Sequence, residues 1–125
     1  NFLVKGKALW EEDENKKPYF LQIAIPKVKE NWDDLFLVTK KWIKKEEQNS
    51  EAWYEHGFAH EKLLNFDGAL IAYNKSIDLD KNNSDSLYRS ALLYTKNGDS
   101  NKAKKIQRDL LLIDEAKGLE LKSLL

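Results

Sequence analysis

From Trp32 onward the apolar positions of the chain are regularly spaced. Trp32, Leu35, Phe36, Thr39, Trp42 and Ile43 recur at three- and four-residue intervals, and Lys40, Lys41, Lys44 and Lys45 take the other side. That pattern predicts an amphipathic helix. It runs to about Glu47, with Asn31 as its N-cap and Asp33 and Asp34 complementing the helix dipole in the first turn. Gln48-Asn49 ends it, and Ser50 is expected to cap a second helix to about Leu64. Asn65 marks a tight turn, and Phe66 to about Leu79 is the partner helix. After the loop Lys81-Asn82-Asn83, Ser84 is expected to cap a helix to about Lys96. Asn97-Gly98-Asp99 then carries the turn chemistry of a helix end, where Gly takes left-handed angles at little cost. Ser100 or Asn101 opens a helix to about Ile113. A last segment, Glu115 to Leu125, carries Ala116, Leu119, Leu121, Leu124 and Leu125.

The first 31 residues are less regular. Phe2 to Glu12 is compatible with a helix whose imperfect apolar face is Leu3, Ala8, Leu9 and Trp10, and Asp13 to Lys17 is a polar break. Pro18 suits a helix's first turn, where its missing N–H is unpaired anyway. The following run, YFLQIAI, ends at Pro26, which a helix interior does not tolerate. A short helix and an extended segment both fit a run of this length; the helical surroundings favour the helix.

A second, longer period lies over the first. Trp53 to Tyr73 reads as two helices packed back to back, with Gly57 and Ala69 as the small residues where they approach and Trp53, Phe66 and Tyr73 filling in around them. Thirty-four residues on, Leu87, Ala91, Tyr94 and Ala103 stand where Trp53, Gly57, His60 and Ala69 stood. Self-similarity at that period marks a solenoid unit, which buries its apolar face by stacking on a neighbour.

These residues resemble tetratricopeptide repeats, whose pattern is W-x₂-L-G-x₂-Y, then A-x₃-F, then P. Residues 50–83 supply Trp53, Gly57, Ala69 and Tyr73 in matching slots, but place His56, His60, Ser76 and Lys81 where Leu, Tyr, Ala and Pro are usual. Residues 84–117 supply Leu87, Ala91, Tyr94, Gly98 and Ala103, with Gln107 in an aromatic slot, and 32–49 resembles the second helix of a degenerate preceding unit. The resemblance implies an all-α fold, a right-handed α-solenoid of antiparallel helix pairs. Its repeat domain would span 32–125, behind a degenerate capping segment at 1–31.

Composition narrows the function. Lys+Arg and Asp+Glu are 21 each, so the clustered basic excess of a nucleic-acid binder is missing. No cysteine is present, which removes disulfides, thiolate metal sites and cysteine nucleophiles. No run approaches the roughly eighteen apolar residues of a membrane span. The chain has no Met and starts at Asn, so it is expected to be part of a longer protein, of open compartment with a lean to the cytoplasm.

The resemblance also locates a site. In the family, the first helix of each unit lines a concave groove that takes a peptide. Here that implies Glu51, Tyr54, Glu55, Phe58, Glu61 and Lys62, then Asp85, Tyr88, Arg89, Leu92 and Lys96, with Tyr54, Glu55, Phe58, Glu61, Tyr88, Arg89 and Leu92 as the peptide-binding set. The Lys and Asn of the carboxylate-clamp subclass are replaced by Tyr54, Phe58, Tyr88 and Leu92, so an aromatic strip suited to apolar anchors remains. The alternative is that Tyr54, Phe58 and Tyr88 pack on a neighbouring helix of the same chain.

His56 and His60, one helical turn apart, raise a zinc reading, but Leu64 stands where H-E-x-x-H needs its second His, and packing is the expected role. The lysines at 40, 41, 44 and 45 suggest acidic partners, yet flanking Asp33, Asp34, Glu46 and Glu47 favour a solvated face. With no phosphate loop, nucleophile elbow or isolated carboxylate pair, neither cofactor, metal nor catalysis is expected. The sequence thus predicts a non-catalytic scaffold for a protein or peptide partner. The alternatives are a structural arm that dimerises through the leucine-rich C-terminal end, and a docking module of a larger enzyme.

Overall fold

The structure is a computed structural model that describes residues 3–4, 7–8 and 17–125. Strands β1 (Leu3–Val4) and β2 (Lys7–Ala8) pair antiparallel, Leu3 opposite Ala8 and Val4 opposite Lys7. These four residues therefore do not form the helix expected over Phe2 to Glu12. Lys5-Gly6 lies between them in the sequence, a Gly-containing link as short as tight hairpins use. Leu9, Trp10 and the polar break at 13–16 lie outside the described residues.

The run after Pro18 is helical but broken. Helix α1 (Tyr19–Gln22) stops at Ile23, and α2 (Ala24–Val28) starts immediately after it. That break admits Pro26. It falls in the first turn of α2, where a missing N–H costs no intrahelical bond, so the proline sits inside the helix rather than ending it. Ile23 is buried with Leu35, Trp42, Ala52 and Ala59, and Tyr19 stacks on Trp42 at 5.8 Å between ring centroids.

Six longer helices follow: α3 (Trp32–Lys45), α4 (Ser50–Lys62), α5 (Phe66–Leu79), α6 (Ser84–Lys96), α7 (Ser100–Ile113) and α8 (Glu115–Leu124). Each packs on the next, and α8 also packs on α6, the zigzag of an α-solenoid. None of the described helices is long and apolar enough to cross a membrane.

The four small residues anticipated as helix contacts are all buried, Ala69, Ala91 and Ala103 completely. Gly57 is the tightest point. A Cβ built on it would lie 2.7 Å from two carbons of the Tyr73 ring and 3.2 Å from the Ala69 carbonyl oxygen. In the next unit Gln107 takes the place of Tyr73, and its amide donates to the Gly118 carbonyl at 3.4 Å, tying α7 to α8.

Two N-caps fall one residue earlier than expected. Asn49 accepts from the Glu51 and Ala52 N–H groups, and Asn83 accepts from that of Ser86. Ser50 and Ser84 are the first helical residues instead. The freed Ser50 hydroxyl donates to the Ser76 carbonyl at 2.8 Å, and that of Ser76 returns the bond to the Ser50 carbonyl at 2.8 Å. Asn83 Nδ2 reaches both hydroxyls at 2.9 and 3.1 Å, and Ser86 lies 2.7 Å from Ser76. The ends of three helices are thereby pinned together, with every buried polar side-chain atom among the described residues satisfied.

The turns inside the helix pairs repeat more faithfully than the side chains do. Positive φ occurs at Glu30 (56°), Leu64 (64°) and Gly98 (83°), thirty-four residues apart. At each, the following N–H bonds to a carbonyl five residues back: Asn31 to Pro26 at 2.8 Å, Asn65 to His60 at 2.8 Å, Asp99 to Tyr94 at 2.9 Å. Those same three residues then cap the next helix, accepting from the N–H groups of Asp34, Gly68 and Lys102. The α2–α3 turn is therefore built like the other two, although its sequence shows little of the repeat.

Two stability predictions follow from these geometries. Gly57→Val should lower stability by about 1–3 kcal/mol through collision with Tyr73, read as a lower urea midpoint at unchanged m-value. Leu64→Gly should raise stability by about 1 kcal/mol, read as a higher urea midpoint, because a largely exposed side chain is exchanged for relief of a left-handed backbone.

Candidate functional site

The expected peptide-binding residues divide into two groups. Tyr54, Glu55, Phe58 and Glu61 of α4 gather with Arg89 of α6 around the Phe58 ring. Tyr54 stacks on Phe58 at 6.4 Å, and the Arg89 guanidinium lies 4.7 Å from the Phe58 centroid. Arg89 Nη1 donates to Glu61 Oε2 at 3.3 Å, while the buried Tyr73 hydroxyl donates to Glu61 Oε1 at 2.8 Å. Tyr88 and Leu92 stand apart from this group. They pack against Leu87, Ala91, Leu110 and Leu121, and the Tyr88 hydroxyl donates to Glu120 of α8 at 3.1 Å.

Sequence reasoning missed two of the neighbours that complete the first group, Lys27 and Trp32, and included the third, Lys62. Lys27 of α2 donates to both Glu55 oxygens at 3.0 and 3.2 Å and lies 5.2 Å from the Phe58 centroid. Trp32 of α3 meets Phe58 edge-on at 5.8 Å, and Lys62 lies over both rings. No motif marks Lys27; only the turn at Glu30, which folds α2 back beside α3, brings it to α4. Between α4, α6 and α8 a cavity of about 180 Å³ is lined by Tyr54, Asp85, Tyr88, Arg89, Lys117 and Glu120. Lys117 pairs with Asp85 at 3.6 Å.

Burial governs protonation here. It pushes the Tyr54 phenol up to about 12, against the opposing pull of Arg89. The Tyr73 phenol is raised further, by burial and then by the Glu61 carboxylate that accepts its proton, so it remains a donor. Burial opposes the charge on Arg89, but Tyr54 and Glu61 outweigh it and raise its affinity for the proton. Tyr54, Tyr73 and Arg89 therefore keep their protons near neutrality.

His56 and His60 form a packing cluster. Their rings meet at 4.6 Å, and Phe36 contacts both, at 5.0 and 4.9 Å. His56 Nδ1 lies 2.9 Å from the Thr39 hydroxyl, which donates its own proton to the Phe36 carbonyl at 3.1 Å. From that network the ring's proton is assigned to Nδ1. Among the described residues no group of three metal-ligating side chains converges. Burial first, then His60 and Lys40, lowers the His56 pKa from 6.5 to about 4, and burial lowers that of His60.

A pH dependence follows. Between about 6.5 and about 4 the unfolded chain holds a proton on His56 that the folded chain refuses, so stability falls as pH drops through this window. The slope for one such group is at most about 1.4 kcal/mol per pH unit. Urea midpoints taken from neutrality to about pH 5 should show this fall, and His56→Gln should flatten it.

Comparison with known proteins places this geometry in a family. Residues 50–83 and 72–105 each match a family model described as tetratricopeptide repeat. No curated protein matches the sequence. A chain of the TPR2B-domain:pHsp70 complex of yeast Sti1 superposes with a TM-score of 0.78 at 19% identity, over 85% of this chain and 89% of that one. A chain of the structure of PcrH in complex with the chaperone-binding region of PopD gives 0.78 at 14% identity, over 98% and 93%. A chain of the CopN–Scc3 complex gives 0.74 at 15% identity, over 99% and 81%. At these identities the likeness is one of fold. The two overlapping matches, lying on a solenoid of paired helices, identify residues 50–105 as tetratricopeptide repeat.

Proposed function

We propose that this chain is a non-catalytic protein–protein interaction module whose α4–α6 face holds an extended or helical segment of a partner protein. The observation that carries the reading is the convergence of α4, α6 and α8 on one cavity, lined by two tyrosines and an arginine. Aromatic and Arg side chains in such positions dominate binding energy at protein interfaces. Tyr54, Phe58, Tyr88 and Leu92 supply the apolar anchors. Arg89 has five N–H donors, and only part of that set is taken up by Glu61 and Tyr54, so it can orient a partner's carbonyl or carboxylate. Glu55 is buried and held by Lys27, and the mostly buried Glu61 is held by Arg89, so both carboxylates are compensated from within the chain. Similar folds solved with pHsp70 and with a segment of PopD support a peptide as occupant.

The test is affinity capture from native lysate with the wild-type chain and Tyr88→Ala/Arg89→Ala as paired baits, both checked for helical content. Proteins retained by the first and lost from the second, by at least about tenfold, support the groove. Identical sets on the two baits would remove it.

A further inference from the structure

A second surface lies where α3 and α5 meet the first turn of α4, and none of its lining residues belongs to the proposed groove. A cleft of about 540 Å³ is lined by Ile43 and Trp53, with Lys40 and Lys44 from α3, Lys75 from α5, and Glu47. Lys44 also borders an adjoining cleft of about 490 Å³, where it stands with Lys41, Lys45 and Tyr19. The lysines thus form a ridge with an aromatic residue on either side.

The acidic flanks of this ridge do not neutralise it. Glu46 accepts from Trp42 Nε1 at 3.1 Å and from Asn49 Nδ2 at 3.0 Å. Asp34 accepts from Asn31 Nδ2 at 2.7 Å, at the far end of the helix. Among the described residues, none of Lys40, Lys41, Lys44, Lys45 or Lys75 has a carboxylate within ion-pair distance. In the α4–α6 site, in contrast, Lys27, Arg89 and Lys117 pair with carboxylates and Lys62 lies against two aromatic rings. In a chain of zero net charge, this ridge carries positive charge that no carboxylate among the described residues pairs.

We propose that the α3–α5 cleft docks an acidic protein segment carrying apolar side chains, with Lys40, Lys44 and Lys75 taking its carboxylates and Ile43 and Trp53 its apolar groups. Glu47 in the lining favours a peptide over a nucleic-acid strand. It would repel a continuous phosphate backbone, whereas a peptide has N–H groups to offer it. The Trp53 indole is held ready by its own N–H, which donates to the Glu47 carbonyl at 2.9 Å.

The probe is a short fluorescein-labelled peptide of Glu and Leu, titrated with the whole chain by anisotropy. Binding should weaken as salt is raised through about 0.1 M, where screening acts within about 10 Å. It should fall by at least about tenfold in Lys40→Glu/Lys44→Glu/Lys75→Glu, with Lys40 and Lys44 exposed, Lys75 half-buried and helical content checked in the variant. Trp53→Leu, which installs the residue found one repeat later at Leu87, should weaken it while leaving the lysines in place. Tyr88→Ala/Arg89→Ala should bind the peptide normally, which separates this surface from the groove. Equal affinity in the charge-reversed variant, no binding by wild type, or tighter binding of single-stranded RNA or anionic phospholipid vesicles than of the peptide would each overturn the proposal.

Discussion

A missing methyl group sets the geometry of this molecule. With hydrogen alone at Gly57, the Tyr73 ring lies where a Cβ would collide with it, and α4 and α5 close on each other. Completely buried, Tyr73 must find a partner for its hydroxyl, and Glu61 on α4 supplies one. Glu61 then holds Arg89 of the following unit, and Arg89 lies on Phe58. One close approach in the core therefore propagates, through an obligatory hydrogen bond and an ion pair, to the arrangement of the exposed face. A side chain at Gly57 would disturb both.

The second constraint belongs to the backbone. Three turns, thirty-four residues apart, use the same left-handed residue, the same reach-back bond and the same Asn or Asp cap. Only at Gly98 does the residue type match the conformation without strain. Glu30 and Leu64 hold it because helices packed on both sides leave the connection no other path. Stacking in a solenoid thus imposes a geometry that two of the three local sequences do not prefer.

Charge is distributed on the same plan. The α4–α6 face is internally matched, with Lys27 on Glu55, Arg89 on Glu61 and Lys117 on Asp85. Its polarity is held in place, and the role proposed for it is recognition by shape and aromatic contact. The α3–α5 cleft carries lysines that pair with no carboxylate; Glu46 and Asp34 are turned to an indole and to asparagine amides, and Glu47 shares the lining without reaching them. A neutral total conceals two surfaces of different character, and only a partner of matching charge compensates the second.

The sequence by itself determined the helices from Trp32 onward, the thirty-four-residue period and the small residues at the crossings. Each of these is written locally, in apolar spacing, capping residues and side-chain volume. Alternation of that kind survives without knowledge of what packs against it. The strand pairing of Leu3–Val4 with Lys7–Ala8 and the shift of two caps from serine to asparagine are local as well, but apolar spacing does not record them; the break at Ile23 was decided by tertiary structure. So were the serine bonds across three helices, the arrival of Lys27 beside Glu55 and the isolation of the α3 lysines. These depend on groups far apart in the chain meeting once the units stack. No local window records which hydroxyl a serine will face or which carboxylate a lysine will reach.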